Sequence, residues 1–236
     1  MWPPPPPPPK IDEKDSAGYY KAWWKNDTQN LYTLPATWNL PTGTVLSEFI
    51  VFAVASSAEL FVNGVSLGVQ NISFYDVARW RGVVYTVGNV TAVSYDSDGK
   101  TLATRTIATT GPAAALRVTS EPGSESIAAD GADVSLVRVE VIDASGNVVT
   151  DANPNLIYSI TSGSGVIVGV ANGNPSDLVP DKVGNPELPY GGVWARPAFN
   201  GLARCIIRST TTPSSIVVTV TADEGLTAGS TTITTS

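Results

Sequence analysis

The sequence lacks histidine entirely and has one cysteine among its 236 residues. Without histidine there is no Ser-His-Asp triad, no Cys-His pair and no histidine-based zinc site. One cysteine excludes an intramolecular disulfide and a thiolate metal cluster. Cys205 lies in the alternating segment LARCIIRS, on the face of Ala203 and Ile207, which predicts a small core residue rather than a nucleophile. These absences leave carboxylate chemistry and hard-cation binding as the remaining options. We expect no cofactor, and we assign no metal-binding residue.

Charged residues and long apolar runs are also scarce. Charged residues make up 15% of the chain, and 14 basic against 21 acidic residues give a net charge of -7. Because no run of Lys or Arg is present, we do not expect nucleic acid as a partner. No stretch approaches the ~20 apolar residues that cross a bilayer, which predicts no membrane span.

The first residues read MWPPPPPPPK and have neither the charged nor the apolar region of a secretory signal peptide. Consecutive prolines form a stiff polyproline helix that is used as a spacer or as a ligand for aromatic grooves. We interpret residues 1–12 as a disordered tail, with a docking motif as the alternative.

The residues that are abundant favour β-structure. The chain has 21 Gly and 18 Pro together with long Thr, Ser and Val stretches, which suit short strands joined by tight turns. The segment AELFVNGVSLG alternates on both sides of Asn63-Gly64, a pair typical of a type I′ hairpin turn. The pattern predicts an all-β fold, and it predicts one buried hairpin face made of Leu60, Val62, Val65 and Leu67.

Two strand series follow each other along the chain. Six or seven short strands within residues 42–111 predict a first immunoglobulin-like β-sandwich. Gly111-Pro112 interrupts the pattern, and seven further strands within residues 112–236 predict a second one. Residues 173–201 lie between the fourth and fifth strands of the second series, and an insertion of this length is usually functional or docked on a neighbour.

Residues 13–41 precede both sandwiches. EKDSAGYYKAWWK predicts a short helix that places Tyr19, Tyr20, Trp23 and Trp24 on one side. An isolated helix of this length is marginal in water, so these rings need a surface to pack against. LYTLPATWNLP, residues 31 to 41, contains two prolines and predicts an extended connector.

Several segments, in order, resemble the C-terminal part of a glycoside hydrolase family 2 enzyme of the β-galactosidase type. They read KDSAGYYKAWW…LPATWNLP, then SSAELFVNGVSLG…WRGVVYTVGNVTAVSYDSDGK, then IAADGADVSLVRVEVIDASGNVV…AFNGLARCIIRST. The resemblance covers residues 12–236 and implies the end of the last barrel helix followed by two immunoglobulin-like modules. It therefore makes the helical rings Tyr19, Tyr20, Trp23 and Trp24 candidate barrel-docking residues. The second module is also similar to invasin-type bacterial repeats. Ala36 and Thr37 depart from the family, which commonly reads Pro-His before the Trp.

The resemblance implies a parent that is a retaining glycosidase, extracellular or at the cell surface, with its active site in a (β/α)₈ barrel. A barrel of this type takes about 250 residues and holds two carboxyl groups roughly 5 to 5.5 Å apart. No Glu of this chain follows Asn as the family's acid/base does, and Glu59 and Glu140 are predicted on solvent faces. We therefore assign no catalytic residue and predict that the chain alone is inactive. In the parent, such modules brace the barrel, shape the mouth of its active site or mediate oligomer contacts.

Two groups of aromatic residues suit stacking on sugar rings. The first comprises Tyr75, Trp80 and Tyr85, and the second comprises Tyr190 and Trp194. Core packing, or docking on the barrel, uses the same residue types and is the interpretation we favour. A carbohydrate-binding module and a stand-alone adhesin-type surface module remain the alternative functions.

Two further sets of polar residues carry weaker signals. Sequons at Asn26, Asn71 and Asn89 are candidates for glycosylation in an exported eukaryotic protein. Asp residues recur in predicted turns, where calcium ligands are found, but none has the spacing of a calcium-binding loop. We interpret them as turn residues that bond to their own backbone. They are Asp96, Asp98, Asp130, Asp133, Asp143 and Asp151.

Overall fold

The computed structural model describes residues 20, 23–24, 28–184, 192–223 and 225–236. The chain divides into an N-terminal unit, Ile11–Thr110, and a C-terminal unit that includes Gly111–Ser236. The predicted polyproline tail lies outside the described residues, as does most of the predicted helix, of which Tyr20, Trp23 and Trp24 are described and helical. Among these described residues, no helix has the length and hydrophobicity needed to cross a membrane.

The N-terminal unit is a sandwich of two antiparallel sheets. One sheet has three strands in the order β1-β2-β5, and the other has four in the order β4-β3-β6-β7. The strands are β1 (Leu31–Leu34), β2 (Val45–Ala53), β3 (Ser57–Val62), β4 (Val65–Asn71), β5 (Ala78–Val84), β6 (Asn89–Tyr95) and β7 (Thr101–Ala108).

The β3–β4 hairpin forms at the predicted turn. Asn63 has φ 49° and Gly64 has φ 79°, the two left-handed residues that a type I′ turn requires. The predicted buried face is only partly correct: Leu60 is fully buried, whereas Val65 and Leu67 are exposed. The reason is the unequal size of the sheets, because three strands do not cover four and β4 is an edge strand.

Part of the segment predicted as an extended connector, residues 31–41, joins the N-terminal sandwich. Leu31–Leu34 pairs with β2 as strand β1. Trp38 is fully buried, packs edge-on against Phe49 and Tyr85 with centroid distances of 6.2 and 5.3 Å, and donates Nε1–H to Thr86 O at 3.0 Å. The two prolines prevent a helix here, but they do not prevent an edge strand or a core anchor.

The C-terminal unit contains all seven strands predicted for it and two short additional ones. Its sheets have the orders β12-β14-β10-β8 and β13-β11-β15-β16-β9. The strands are β8 (Ala113–Ser120), β9 (Ser126–Ile127), β10 (Val134–Asp143), β11 (Asn155–Ser162), β12 (Gly165–Ala171), β13 (Ala195–Pro197), β14 (Leu202–Ser209), β15 (Ser215–Ala222) and β16 (Gly229–Thr235). Together the two units confirm the predicted all-β fold of tandem immunoglobulin-like sandwiches.

Two residues of the C-terminal unit test expectations from the alternating pattern. Cys205 is fully buried in the core, as predicted, and burial raises the pKa of its thiol to about 12. Glu140 is not on a solvent face, which corrects the prediction: its side chain is buried and accepts bonds from Arg117 Nε and Arg138 Nε. Two arginines on the adjacent positions of the sheet cover the carboxylate and remove it from water.

Candidate functional site

Three aromatic rings, Trp23, Phe74 and Tyr75, lie together on the N-terminal unit, and we call them the aromatic cluster. The ring centroid of Trp23 is 5.5 Å from Phe74 and 5.2 Å from Tyr75, both edge-on. Phe74 and Tyr75 are 4.0 Å apart, and Tyr20 and Trp24 are 4.6 Å apart. Edge-to-face pairs of this kind contribute about 0.5–1.5 kcal/mol beyond their area burial. The cluster therefore holds the helical residues against the sandwich.

The loop between β4 and β5 presents two of these rings. Ile72 is buried and donates its N–H to Ser56 O at 3.0 Å, and Asp76 N–H donates to Ser73 O at 2.9 Å. Tyr75 has φ 61°, a left-handed conformation that is strained for a large side chain. These hydrogen bonds fix the loop in a conformation that exposes the rings of Phe74 and Tyr75 to solvent.

Asp76 fixes the end of this loop. Its Oδ1 accepts the N–H of Val77 at 2.8 Å and a bond from Arg79 Nη1 at 3.1 Å. These two contacts, the backbone bond first, lower the pKa of the Asp76 carboxyl below 3.8. The two bonds hold the end of the loop at the start of strand β5.

The exposure of the cluster is unusual for aromatic residues. Phe74 and Tyr75 are 77% and 57% exposed, whereas the Trp23 indole is partly buried. The Nε1 of Trp23 is buried and has no hydrogen-bond partner among the described residues. Isolated exposed apolar residues need no explanation, but a contiguous patch marks an interaction surface.

The structure does not bring together the first predicted group of sugar-stacking residues. Trp80 is buried and donates Nε1–H to Gly68 O at 3.0 Å, and Tyr85 is buried against Trp38. Tyr75 instead meets Trp23, which the sequence assigns to a different group, the barrel-docking residues. Tyr19, the fourth member of that docking group, lies outside the described residues.

Trp194 of the second predicted group is half-buried on the C-terminal unit. Its carbonyl accepts the N–H of Tyr158 at 2.8 Å, and its indole packs against the core of that unit. Gly184 lies so close to the indole that a Cβ at this position would overlap the ring. Tyr190, the other member of the group, lies outside the described residues.

The candidate glycosylation residues fall on strand ends. Asn71 is the last residue of β4 and Asn89 is the first residue of β6, and both are exposed. Asn26 lies outside the described residues. A glycosylated asparagine must be exposed, and Asn71 and Asn89 both meet this requirement.

Acidic side chains serve mainly in turns. Asp96 accepts the N–H groups of Asp98 and Lys100, and Asp130 accepts those of Ala132 and Asp133. Backbone bonds of this type lower the pKa of Asp130 below 3.8, and they confirm the turn interpretation for these residues. The described part of the chain contains no group of three or more acidic, His or Cys residues arranged to hold a metal ion.

Comparison with known sequences links both units to one family. A family model described as "Glycoside hydrolase family 2 C-terminal domain 5" matches residues 118–232. A second family model, described as "Domain of unknown function (DUF4982)", matches residues 46–103. The chain is 36% identical over 179 residues to the β-galactosidase BoGH2A of Bacteroides ovatus, a match that covers 75% of the chain. This chain corresponds to the C-terminal region of a glycoside hydrolase family 2 enzyme. The resemblance drawn from the sequence is therefore confirmed.

Solved structures of glycoside hydrolase family 2 members have the same fold. One from Bacteroides cellulosilyticus DSM 14838 has a TM-score of 0.79 at 26% identity, covering 94% of this chain and 31% of that one. Another from Bacteroides cellulosilyticus has a TM-score of 0.73 at 29% identity, covering 85% and 24%. The chain spans 20% of the length of the B. ovatus β-galactosidase.

Sequence reasoning about this hydrolase region missed Phe74. The residue is exposed and lies in the loop between β4 and β5, where no periodicity marks it. The sequence did offer one signal, the adjacent pair Phe74-Tyr75 in a short connection between two strands. Two large rings in a turn are not buried by the adjoining strands, so they are candidates for a contact with another surface.

Proposed function

We propose that this chain is a non-catalytic accessory region of a glycoside hydrolase, and that the aromatic cluster docks it on the catalytic barrel. The observation that carries the proposal is the contact of Trp23 with Phe74 and Tyr75. Trp23 belongs to the segment that resembles the end of the last barrel helix, and the two other rings belong to the sandwich. The cluster thus fixes the sandwich to the segment that leads from the barrel.

The chemistry of the cavities supports a binding role. A retaining glycosidase needs two carboxyl groups roughly 5 to 5.5 Å apart in a cleft. In the part of the chain that the structure describes, the two best-defined cavities have volumes of about 870 and 670 Å³, and neither has Asp or Glu among its lining residues. Exposed rings, by contrast, contribute binding energy through apolar burial without any reacting group.

A graft tests this function. The segment of the B. ovatus β-galactosidase that aligns with this chain is replaced by this chain, and the graft is compared with the same enzyme lacking the segment. We expect the graft to have the higher melting temperature and the higher rate on a nitrophenyl β-galactoside, and we expect the purified chain alone to give no turnover. Turnover by the chain alone, or a graft no better than the truncated enzyme, would overturn the proposal.

Single substitutions in the graft locate the contact. Trp23→Ala and Phe74→Ala each remove part of the aromatic cluster, so we expect a lower melting temperature and a lower rate. Leu178→Ala is the matched control, because Leu178 is a large exposed apolar residue of the C-terminal unit. Equal effects of the three substitutions would mean that the cluster is not the docking surface.

A second candidate function is contact with carbohydrate at Phe74 and Tyr75. The specific observation is that the two rings are adjacent, exposed and held by a fixed turn. The test is retention of the purified chain on insoluble polysaccharide, with Phe74→Ala and Tyr75→Ala as variants and Leu178→Ala as control. Retention that the two ring substitutions leave unchanged would exclude sugar stacking at this site.

A further inference from the structure

A groove runs between the edges of the two sheets of the N-terminal unit, and we call it the β4–β5 groove. Among the described residues, strand β4 pairs only with β3 and strand β5 pairs only with β2, so each strand has one edge without a neighbouring strand. The groove has a volume of about 670 Å³. Its apolar lining comprises Val62, Val65, Leu67, Trp80, Val83 and Val84.

The groove exposes residues that the hairpin pattern assigns to a core. Val65 and Leu67 are 66% and 41% exposed, and Val84 is also exposed. Strand β4 reads VSLGVQN and carries no charged residue and no proline, although a register shift lies opposite it between Glu59 and Phe61. An apolar edge with so little protection invites pairing with another segment.

The shape of the groove indicates the kind of occupant. The sheet β1-β2-β5 has one strand fewer than the sheet β4-β3-β6-β7, so one further strand beside β5 would lie over β4. Neighbouring strands are about 4.8 Å apart, which is the space that a single extended segment takes. A second copy of this chain joined edge to edge through β4 would leave β5 unpaired and the groove open.

The charges at the rim indicate an apolar occupant. Arg81 Nε lies 3.2 Å from Glu48 Oε1, and Arg79 Nη1 lies 3.1 Å from Asp76 Oδ1. Both rim arginines are therefore already paired with carboxylates of the same unit. Binding energy then comes from burial of apolar side chains and from backbone bonds to β5 rather than from charge.

We infer that the β4–β5 groove receives an extended apolar segment of the catalytic part of the hydrolase, which adds as a strand along β5. Gln70 and Arg79 line the groove beside the loop that carries Phe74 and Tyr75, so the groove continues from the aromatic cluster. The chain spans 20% of the length of its B. ovatus relative, which leaves most of such an enzyme as a source of the segment. The inference rests on the proposed function, because both require the barrel at this face.

The test is thiol labelling at single introduced cysteines, read at each site by peptide mass spectrometry. Leu67→Cys reports on the groove, and Val134→Cys on strand β10 of the C-terminal unit is the matched exposed control. The native Cys205 is buried with its pKa raised to about 12, so it does not react in the folded chain. Each variant is labelled in the isolated chain and in the B. ovatus graft.

We expect Leu67→Cys to be labelled at least about tenfold more slowly in the graft than in the isolated chain. The control cysteine should be labelled at equal rates in both. An active, stabilised graft in which Leu67→Cys reacts as fast as in the isolated chain would overturn the groove inference and leave the proposed function intact. A graft that is neither stabilised nor active would overturn the proposed function, and the inference with it.

Discussion

Arg196 Nε donates a 3.1 Å hydrogen bond to Asp177 Oδ2, across the turns that precede strand β13. The arginine is 4% exposed, and its Nη1 also bonds to Val170 O at 3.2 Å and Asp181 Oδ1 at 3.0 Å. Asn172 Nδ2 donates to the same oxygen of Asp177 at 3.0 Å. A buried guanidinium with these partners ties the long insertion of the C-terminal unit to its core.

The two carboxylates around Arg196 should differ in their effect on stability. Asp177→Ala leaves the buried guanidinium of Arg196 with Asp181 as its remaining carboxylate partner, and Asp181 is solvated. Removing a partner from a buried charge is strongly destabilising. Asp181 is largely exposed, so Asp181→Ala is the matched control. We expect the first substitution to lower the melting temperature of the C-terminal unit by more than about 5 °C, and the second by much less. Differential scanning calorimetry measures both, and equal shifts would contradict the assignment.

Acid should destabilise the C-terminal unit through three aspartates. Backbone N–H bonds, from Val179 to Asp177 and from Gly111 to Asp143 above all, lower the pKa of these carboxyls below 3.8, and backbone N–H bonds lower the pKa of Asp130 as well. A carboxyl whose pKa is lower in the folded state than in the unfolded state stabilises the fold at pH values above its unfolded-state pKa. This stabilisation is lost as the pH falls through its folded-state pKa.

We therefore expect the melting temperature to be steady from neutral pH to about pH 5 and to fall below about pH 4. Asp143→Asn removes one of the titrating groups, so the variant should be less stable at neutral pH and should lose less on acidification. Circular dichroism melts at a series of pH values measure this. A melting temperature that rises on acidification would contradict the prediction.

Trp38 should behave as a core residue although it lies in the segment predicted to be a connector. Trp38→Ala removes a fully buried indole and its bond to Thr86, and truncations of this size cost about 3–5 kcal/mol. Trp24→Ala removes an exposed indole and should change the free energy of unfolding by no more than about 0.5 kcal/mol. Urea unfolding of both variants gives the comparison.

Glu140 should contribute more to stability than its place in an alternating strand indicates. Its carboxylate is buried between Arg117 and Arg138, and bonds between charged groups contribute about 1.5–3 kcal/mol. Because Arg117 is partly solvated, we expect Glu140→Ala to cost about 1–2 kcal/mol. Glu59→Ala on the more exposed hairpin is the control, and urea titration measures the difference.

Cys205 should report global unfolding. Its thiol is fully buried and its pKa is raised to about 12 by burial. Because the thiolate is the reactive form, a thiol reagent at neutral pH should label Cys205 only when the C-terminal unit opens. Labelling in increasing urea should therefore follow the circular dichroism transition. Rapid labelling without denaturant would mean that the core is accessible.

Local sequence patterns predicted the positions of the strands more completely than they predicted the members of the aromatic cluster. Seven of the nine strands of the C-terminal unit and the turn at Asn63-Gly64 were predictable because alternation and turn chemistry act between near neighbours. Strand β13 was not predictable, because three residues within a long insertion carry no period. Two of the three rings of the aromatic cluster, Trp23 and Tyr75, were singled out from the sequence, but for separate roles.

The sequence by itself determined the all-β class, the two tandem sandwiches, the absence of histidine chemistry and the family, since composition, period and ordered motifs are local or additive properties. The tertiary structure alone decided that Val65 and Leu67 line an open groove, that Glu140 is covered by two arginines, and that Trp23 meets Phe74 and Tyr75. These outcomes depend on how many strands each sheet has and on which distant residues the sheets bring together. Contacts between residues far apart in sequence leave no periodic signal in a single chain.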